Sequence, residues 1–408
     1  MGAVRFSTGL LFVGILLAAC GVRSGTSAGL RPEACVILGS WTVPQADGAA
    51  TRPPDKVLAG FAQQQVVLLG ETHDDPEHHR WQLHTIAGLH ALRPDLVLGF
   101  EMFPRRVQGV LDRWVAGELS ETEFVSQSEW ERVWGYDRSL YLPIFQFARM
   151  HRIPMLALNV ERGLVSRVGD EGWAAIPAGE REGVSDPAPA DRAYAIRLYQ
   201  AYLDHQGSAA TARQIPRERP SEEELADAKF RRFVEAMQVW DRAMAQGIAQ
   251  RLRSNARPLV VAIVGTGHLR DGYGVPRQLR DLGVTRVAVA LPWDPSDDCL
   301  ELRPGLADAV FGIEARPRPI AADRPRLGIS VEQAPDGVLV REVVPGSIAA
   351  QSDVRDGDLI VGIAGERAST VATVIDAVRR QAPGTWLPLT IRRGPDTVEI
   401  IARFPPRP

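Results

Sequence analysis

The sequence contains little cysteine, with three residues among 408. Three thiols are too few for a disulfide-rich scaffold or for a zinc site made of four cysteines. Net charge is also nearly absent, because 47 basic side chains are balanced by 50 acidic ones. General electrostatic binding of nucleic acid needs a basic surface, so we expect no nucleic-acid partner. An apolar fraction of 45% nevertheless predicts a folded chain, and the length predicts about two to three domains.

Long apolar runs are also missing, apart from a short one near the N-terminus. One basic residue, Arg5, precedes a mostly apolar run from Leu10 to Ala19, which is too short to cross a bilayer as a stable helix. A basic start, an apolar middle and small residues before a break are typical of a secretory signal. We therefore predict a signal peptide over residues 1–19. An uncleaved anchor is the alternative.

The predicted signal ends at a cysteine. Leu17-Ala18-Ala19-Cys20 resembles the bacterial lipobox, whose cysteine is acylated and becomes the mature N-terminus. Several acyl chains, palmitate among them, would hold Cys20 at a membrane, since one chain alone binds only weakly. Gly21 stands where inner-membrane lipoproteins tend to have aspartate, which favours the outer membrane. We predict an exported bacterial lipoprotein of the cell envelope, with a flexible tether over residues 20–54.

Two cysteines, Cys35 and Cys299, remain after Cys20. An oxidising compartment permits a bridge between them. The sequence carries no geometry, however, so their pairing stays open at this point.

Short apolar runs recur from residue 65 onward, each followed by a polar cluster and a helical stretch. The runs are QVVLL before Gly70, DLVLGF before Glu101, RIPMLAL before Asn159, PLVVAIV before Gly265 and RVAVAL before Pro292. Short apolar runs without alternation are typical of strands buried on both faces, and the helical stretches imply right-handed crossovers. We predict an α/β fold over residues 55–314, with a mainly parallel sheet and flanking helices. A fully helical bundle would need longer runs.

Polar residues of reactive types follow several of these strands. They are Glu71 and His73 in GETH, Glu101 in FEMF, Asn159, Glu161 and Arg162 in NVER, and His268 in GTGH. Ligands of parallel sheets bind beyond the carboxyl ends of the strands, and titratable groups concentrate in such pockets. Two strands end in Gly-x-x-His, so we expect both histidines to share one pocket with Glu71 and Glu101. Hydrogen-bonded strand caps are the alternative.

Several motifs together resemble one known family. LLGETHDDPEHHRWQ, LGFEMF, WERVWGYDRSLYLPIFQFAR, IPMLALNVER, AMQVWDRAMA and IVGTGHLRDGYGVP follow in the expected order between Val57 and Asp294. They resemble the ChaN-type iron-regulated haem-binding lipoproteins, a group within the superfamily of the Tiki proteases and erythromycin esterases. The resemblance implies an α/β fold with its pocket at the strand ends.

The superfamily resemblance implies two rival chemistries. In its hydrolytic branches, the matching active-site residues are Glu71, His73, Glu101 and His268. Two imidazoles and two carboxylates suit a divalent metal ion that activates water. Without a metal, a histidine beside a carboxylate can act as a general base.

The ChaN branch instead implies non-covalent binding of ferric haem through a tyrosine oxygen. A phenolate is a hard anionic ligand that favours ferric iron. Tyr141 is the first candidate for the iron ligand and Tyr136 the second, although their aromatic segment could equally be core packing. Arg138 could meet a propionate, and His79 matches a paired-histidine position of the family. A haem held between two copies would need a homodimer.

A second domain follows a linker rich in Pro and Arg over residues 315–325. Residues 326–405 resemble a PDZ domain of the bacterial protease type, which is small and rich in β-structure. The specific markers are VPGS from Val344 and DGDLI from Asp356.

The PDZ resemblance implies a binding loop. PDZ domains add a ligand strand to a sheet edge and hold its terminal carboxylate on backbone amides. The matching residues are Leu327, Gly328 and Ile329, which would bind a peptide or protein C-terminus. A module that only packs against its neighbour is the alternative.

These observations favour a membrane-anchored lipoprotein that binds haem or iron for uptake and recruits a partner through its PDZ module. A metal-dependent hydrolase of the peptidase or esterase kind is the second hypothesis. An envelope assembly factor with a vestigial pocket is the third.

Overall fold

The computed structural model describes residues 35–46, 48–205, 219–253, 257–314 and 326–406. The predicted signal peptide, Cys20 and the predicted linker at 315–325 lie outside these residues. The described chain forms an α/β domain up to residue 314 and a smaller β-rich domain from residue 326. Within the described ranges, no helix combines the length and apolar character needed to cross a membrane.

The first domain is built on one sheet. Its strands are β1 (Trp41–Gln45), β2 (Gly48–Arg52), β3 (Val66–Glu71), β4 (Leu96–Pro104), β5 (Met155–Asn159), β6 (Leu259–Gly265), β7 (Val287–Trp293) and β8 (Ala309–Gly312). Their order across the sheet is β2-β1-β8-β7-β3-β6-β4-β5. All neighbours from β8 to β5 are parallel. The five strands predicted from apolar runs are β3 to β7, and the mainly parallel sheet is confirmed.

Helices connect these strands. They are α1 (Pro54–Ala62), α2 (Pro76–Leu92), α3 (Gln108–Ala116), α4 (Glu121–Gln127), α5 (Trp130–Val133), α6 (Leu142–Met150), α7 (Arg162–Glu171), α8 (Arg192–His205), α9 (Glu222–Ala226), α10 (Ala228–Leu252) and α11 (Val275–Asp281). Helix α2 illustrates a local start signal, because the Asp75 side chain caps it by accepting the Glu77 backbone N–H at 2.9 Å.

The core lies on both sides of the sheet, because successive side chains of a strand point to opposite faces. In β3, Val67 and Leu69 belong to one hydrophobic cluster, whereas Val66 and Leu68 belong to the other. Residues of α2 complete the first cluster and residues of α10 the second. Both faces of the central strands are therefore covered, and polar groups collect at the strand ends.

The predicted flexible tether over residues 20–54 is wrong in its last part. Residues 41–45 and 48–52 form β1 and β2, and β1 pairs antiparallel with both β2 and β8. Trp41 is buried, with its ring centroid 5.7 Å from that of Phe61 and 5.1 Å from that of Phe311. Burial of this apolar surface stabilises the strand. The sequence does not predict the strand, because the residues around Trp41 are mostly small or polar.

A disulfide joins Cys35 to Cys299, with 5.7 Å between the two Cα atoms. It fastens the beginning of the described chain to the loop between β7 and β8. The pairing that the sequence left open is therefore present, and it constrains the unfolded chain across a long loop.

The second domain has a separate antiparallel sheet. Its elements are β9 (Ile329–Ala334), β10 (Gly337–Val343), α12 (Ile348–Gln351), β11 (Leu359–Ile363), β12 (Glu366–Arg367), α13 (Val371–Arg379), β13 (Trp386–Arg393) and β14 (Asp396–Arg403). The strand order is β14-β13-β11-β10-β9, with β12 paired to β11. Val338, Ile360 and Leu389 belong to its own hydrophobic core.

Candidate functional site

Glu71, the last residue of β3, is the centre of one half of the site. Its carboxylate accepts hydrogen bonds from the Tyr141 hydroxyl at 2.6 Å and from the Gln82 amide at 3.0 Å. The Nδ1 atoms of His73 and His79 lie 2.9 Å and 3.4 Å from the same carboxylate. Glu71 is buried, and these four partners offset the cost of removing its charge from water.

The other half of the site is built around Glu101 and His268. The Glu101 carboxylate, in β4, accepts the backbone N–H of Gly265 at 2.6 Å and lies 3.6 Å from His268 Nε2. His268 Nδ1 lies 2.6 Å from the carboxylate of Asp241 on α10, and the second oxygen of Asp241 accepts the Tyr194 hydroxyl at 2.7 Å. All of these side chains are buried. They form one continuous chain of polar contacts.

The two halves meet at Gly265, at the end of β6. A Cβ atom placed on Gly265 would lie 2.9 Å from His73 Cε1 and 3.4 Å from Glu101 Oε2. The His73 ring therefore lies directly against this glycine, an approach that a larger residue would obstruct. The four side chains predicted to share a pocket thus lie together across the ends of β3, β4 and β6.

The charges of the site support one another. Burial disfavours the charged form of His268, but Asp241 and Glu101 outweigh burial and raise the pKa of His268 to about 9. Burial also opposes the charge of His73, yet its hydrogen-bonded partner Glu71 prevails and the pKa of His73 is raised. For Glu71 itself, burial is overcome by His73 and His79, so its pKa is lowered. At neutral pH the raised pKa of His268 therefore favours its imidazolium form.

An aromatic rim, formed by His73, Trp134 and Tyr136, lies on the outer side of this network. The His73 ring centroid is 4.6 Å from that of Trp134 and 5.2 Å from that of Tyr136. Tyr136 is 36% exposed, and its carbonyl accepts the Trp130 indole N–H at 2.7 Å. This hydrogen bond fixes the turn after α5 that carries the rim.

Tyr141 and His79, both predicted to contact haem, lie inside the domain. Tyr141 is fully buried, and burial followed by the charge of Glu71 strongly raises the pKa of its phenol. His79 is buried beside it, with ring centroids 4.2 Å apart, and His79 Nε2 lies 3.1 Å from the carbonyl oxygen of His73. Both side chains therefore contact Glu71 and the His73 backbone from the interior of the domain.

Tyr136 and Arg138 lie at the surface instead. Tyr136 belongs to the aromatic rim, and Arg138 is half-buried, with Nη1 3.3 Å from the Glu131 carboxylate. The two tyrosines therefore differ in exposure, and which of them binds iron stays a prediction. Tyr136 is accessible to a ligand, whereas the hydroxyl of Tyr141 is engaged with a buried carboxylate.

The predicted divalent metal site does not fit this geometry. In the part of the chain that the structure describes, no group of three or more His, Cys, Asp or Glu side chains is arranged to hold a metal ion. The carboxylates of Glu71 and Glu101 are directed at histidines and at a backbone amide. These donors pair with one another and do not surround a common point.

Comparisons with known proteins agree with this architecture. The family model described as haem-binding uptake, Tiki superfamily, ChaN matches residues 57–279, more than half of the chain. The chain belongs to this family. A PDZ domain model matches residues 325–402.

Individual relatives of the ChaN-family protein are distant. The structure of ChaN of Campylobacter jejuni, described as showing cofacial haem binding, has a TM-score of 0.50 at 17% identity and covers 66% of this chain and 96% of that one. Serine protease HTRA1 of Xenopus tropicalis is 34% identical over 64 residues, and serine protease HTR4 of Rattus norvegicus is 44% identical over 62. The matches span only 14% and 12% of these two proteases, and 16% and 15% of this chain.

Sequence reasoning assigned no role to Asp241, Gln82 or Tyr194 in the ChaN-family domain. Asp241 lies on α10, where apolar residues such as Phe233, Met237 and Met244 recur at helical spacing, a pattern that predicts core packing. It stands four residues after Met237 and three before Met244, so it shares their helix face. A single acid on such a face indicates a buried charge that needs a partner, and the structure supplies His268 and Tyr194.

The predicted binding loop of the PDZ domain leads into β9. Gly328 has a φ of +77°, and a Cβ atom there would lie 2.3 Å from Cβ of Ser347, so the position requires glycine. The loop is held because the N–H groups of Ala349 and Val344 donate to the carbonyls of Leu327 and Gly328, each at 2.9 Å. Among the described strands, β9 pairs only with β10, so its other edge is unpaired.

Proposed function

We propose that the ChaN-family domain binds ferric haem on its aromatic rim. The family description names haem binding, and the ChaN structure of Campylobacter jejuni is described as showing it. The observation that carries the proposal is the position of Tyr136, a partly exposed phenol beside the rings of His73 and Trp134. Flat apolar walls with a few polar groups suit a porphyrin.

In this proposal Tyr136 holds the iron and Arg138 meets a propionate. Haem supplies a ferric ion, for which a phenolate oxygen is a suitable ligand. Burial, and then Asp74, raise the pKa of Tyr136, whereas Arg162 lowers it. The free phenol is thus protonated at neutral pH, and it must release its proton to bind iron.

We also propose that the protein is a lipoprotein, acylated at Cys20 and held at the outer membrane of a bacterial envelope. The lipobox-like residues that end at Cys20 support this. The Cys35–Cys299 disulfide supports export, because disulfides persist in oxidising compartments. Haem bound in that place would be available for uptake.

The PDZ module would then recruit a partner by its C-terminus. The unpaired edge of β9 could accept a ligand strand, with the terminal carboxylate on the backbone amides of Leu327, Gly328 and Ile329. A haem held between two copies of the ChaN-family domain would also make the protein a homodimer.

Titration of the chain with ferric haem tests the central proposal. We expect a saturable shift of the Soret band in the unmodified chain. In Tyr136→Phe the haem affinity obtained from this titration should fall about tenfold or more, since that change removes the iron ligand. Tyr141→Phe is the matched control, because it removes the same oxygen from a buried position, and we expect the affinity to change less than about threefold. Absence of a saturable shift in the unmodified chain would refute haem binding.

A further inference from the structure

A rigid turn precedes β1 and presents two exposed apolar side chains. The turn runs from Ile37 to Ser40, whose N–H donates to the Ile37 carbonyl at 3.2 Å. It is fastened to the end of β8, because Gly39 N–H donates to the Gly312 carbonyl at 2.8 Å and Gly312 N–H donates to the Ser40 carbonyl at 3.1 Å. At its tip, Ile37 and Leu38 are 61% and 52% exposed.

The disulfide brings a third exposed apolar side chain to this turn. Cys35 lies two residues before Ile37, and its partner Cys299 is followed directly by Leu300, which is 86% exposed. We call Ile37, Leu38 and Leu300 the apolar patch. The disulfide links the two segments that carry these exposed aliphatic side chains, and exposed apolar surface of this kind indicates an interaction surface.

The apolar patch lies at the same edge of the sheet as the aromatic rim. Gly312 is the carboxyl end of β8, and the rim stands beyond the carboxyl end of β3. These two strands run in the same direction, with β7 between them. Two strand spacings amount to about 10 Å.

We infer that the apolar patch rests on the lipid bilayer to which the N-terminus is tethered, so that the aromatic rim is held close to the membrane. This inference rests on the proposed acylation of Cys20. Residues 21–34 separate Cys20 from Cys35, and even a fully extended segment of this length reaches only about 50 Å. An acylated Cys20 would therefore keep the patch within about 50 Å of the lipid, and the patch lies where the described chain begins.

The surroundings of the patch specify the kind of lipid. Asp298 and Glu301 flank Cys299 and Leu300 in the sequence and are exposed, and Glu301 forms an ion pair with Arg270, which leaves Asp298 as the unbalanced charge of the two. Carboxylates are repelled by anionic headgroups, so we expect the patch to bind zwitterionic lipid. Aliphatic side chains gain free energy when they enter the interface.

Vesicle partitioning of the mature chain, residues 20–408 with Cys20→Ser, isolates the patch from the anchor. We expect this protein to bind vesicles of phosphatidylcholine and phosphatidylethanolamine weakly but measurably. The triple variant Ile37→Ser, Leu38→Ser, Leu300→Ser should bind about tenfold or more weakly, because each serine removes an aliphatic group from the lipid contact. Replacing part of the lipid with phosphatidylglycerol should not strengthen binding.

The matched control uses two exposed apolar residues at the opposite edge of the sheet. Leu92 and Met150 are 53% and 70% exposed and precede the amino ends of β4 and β5. We expect Leu92→Ser, Met150→Ser to change vesicle binding by less than about twofold. An equal loss in the control and the patch variant would overturn the inference, as would unchanged binding in a patch variant with native circular dichroism.

Three further measurements separate this inference from its alternatives. If the patch variant dissociates a dimer in the absence of lipid, the patch binds a second copy and the inference is wrong. If deleting residues 21–34 strengthens vesicle binding, that segment covers the patch and the inference is wrong. Mass spectrometry of membrane-extracted protein tests acylation of Cys20 separately, so an acylated chain whose patch binds no vesicles refutes the patch alone.

Discussion

The buried network and the aromatic rim use similar residues for different purposes. His268 is enclosed between Glu101 and Asp241, and its charge is fixed by partners from β4 and α10. His73 also has a carboxylate partner, yet its ring stands beside Trp134 in the outer layer of the site. Two histidines in equivalent Gly-x-x-His motifs therefore differ because one is covered by a helix and the other is not. We therefore expect the first to stabilise the fold and the second to be available to a ligand.

Removing Asp241 should have the largest effect on the buried side of this comparison. In Asp241→Leu, His268 keeps a buried charge with one fewer partner, so we expect unfolding free energy to fall by about 4 kcal/mol. Urea denaturation measures this loss, and haem affinity of the folded protein should stay nearly unchanged. Asp170, exposed on α7, offers the control Asp170→Leu, which should change stability by less than about 0.5 kcal/mol. A stable Asp241→Leu protein that no longer binds haem would place the network in ligand binding.

The pH dependence of stability should report the same buried pair. The pKa of His268 is raised to about 9 in the folded protein, so the native state binds more protons than the unfolded state between about pH 6.5 and 9. Its contribution is complete below that interval and is lost as pH rises through it, by about 3 kcal/mol. Urea denaturation at both ends of the interval measures the loss. Asp241→Asn should flatten this dependence, and an equally steep curve in that variant would contradict the assignment to His268.

Gly265 joins the two regions, so a small change there should disturb both. In Gly265→Ala the new methyl group would meet His73 Cε1 at 2.9 Å, and the ring must move outward. We expect a loss of about 1–2 kcal/mol in stability together with weaker haem binding, measured by urea denaturation and Soret titration. Gly267, with no atom near its Cβ position, provides the control Gly267→Ala. Unaltered haem affinity in Gly265→Ala would show that haem binding does not depend on the position of the His73 ring.

Arg138 should give the smallest effect, on the exposed side alone. Its ion pair with Glu131 is solvent-exposed, so Arg138→Ala should change stability by less than about 0.5 kcal/mol. Haem affinity should fall about threefold, because a propionate loses a charged partner. Haem titration at two salt concentrations checks this, since the difference should shrink at high salt. No difference at low salt would remove Arg138 from the proposed site.

Much of the site could be predicted because its residues lie in short motifs that directly follow predicted strands. Glu71 and His73 follow one buried run, and His268 follows another in the same spacing, so parallel strand ends must bring them to one edge. The place of Asp241 in the site and the different exposure of the two tyrosines could not be predicted in this way. They depend on the orientation of α10 and of the segment after α5 against the sheet. Packing between segments that are distant in the sequence determines that orientation.

The sequence by itself determined the five strands β3 to β7, their parallel arrangement and the set of side chains at the carboxyl edge. Local patterns suffice for this, since a short and continuous apolar run is typical of a strand that is buried on both faces of a parallel sheet. Only the tertiary structure decided that Tyr141 is enclosed, that Tyr136 is exposed and that Cys35 pairs with Cys299. Exposure depends on which distant segment covers a residue, and disulfide pairing depends on which distant cysteine lies beside it. Both are properties of the packed chain and cannot be read from one segment of the sequence.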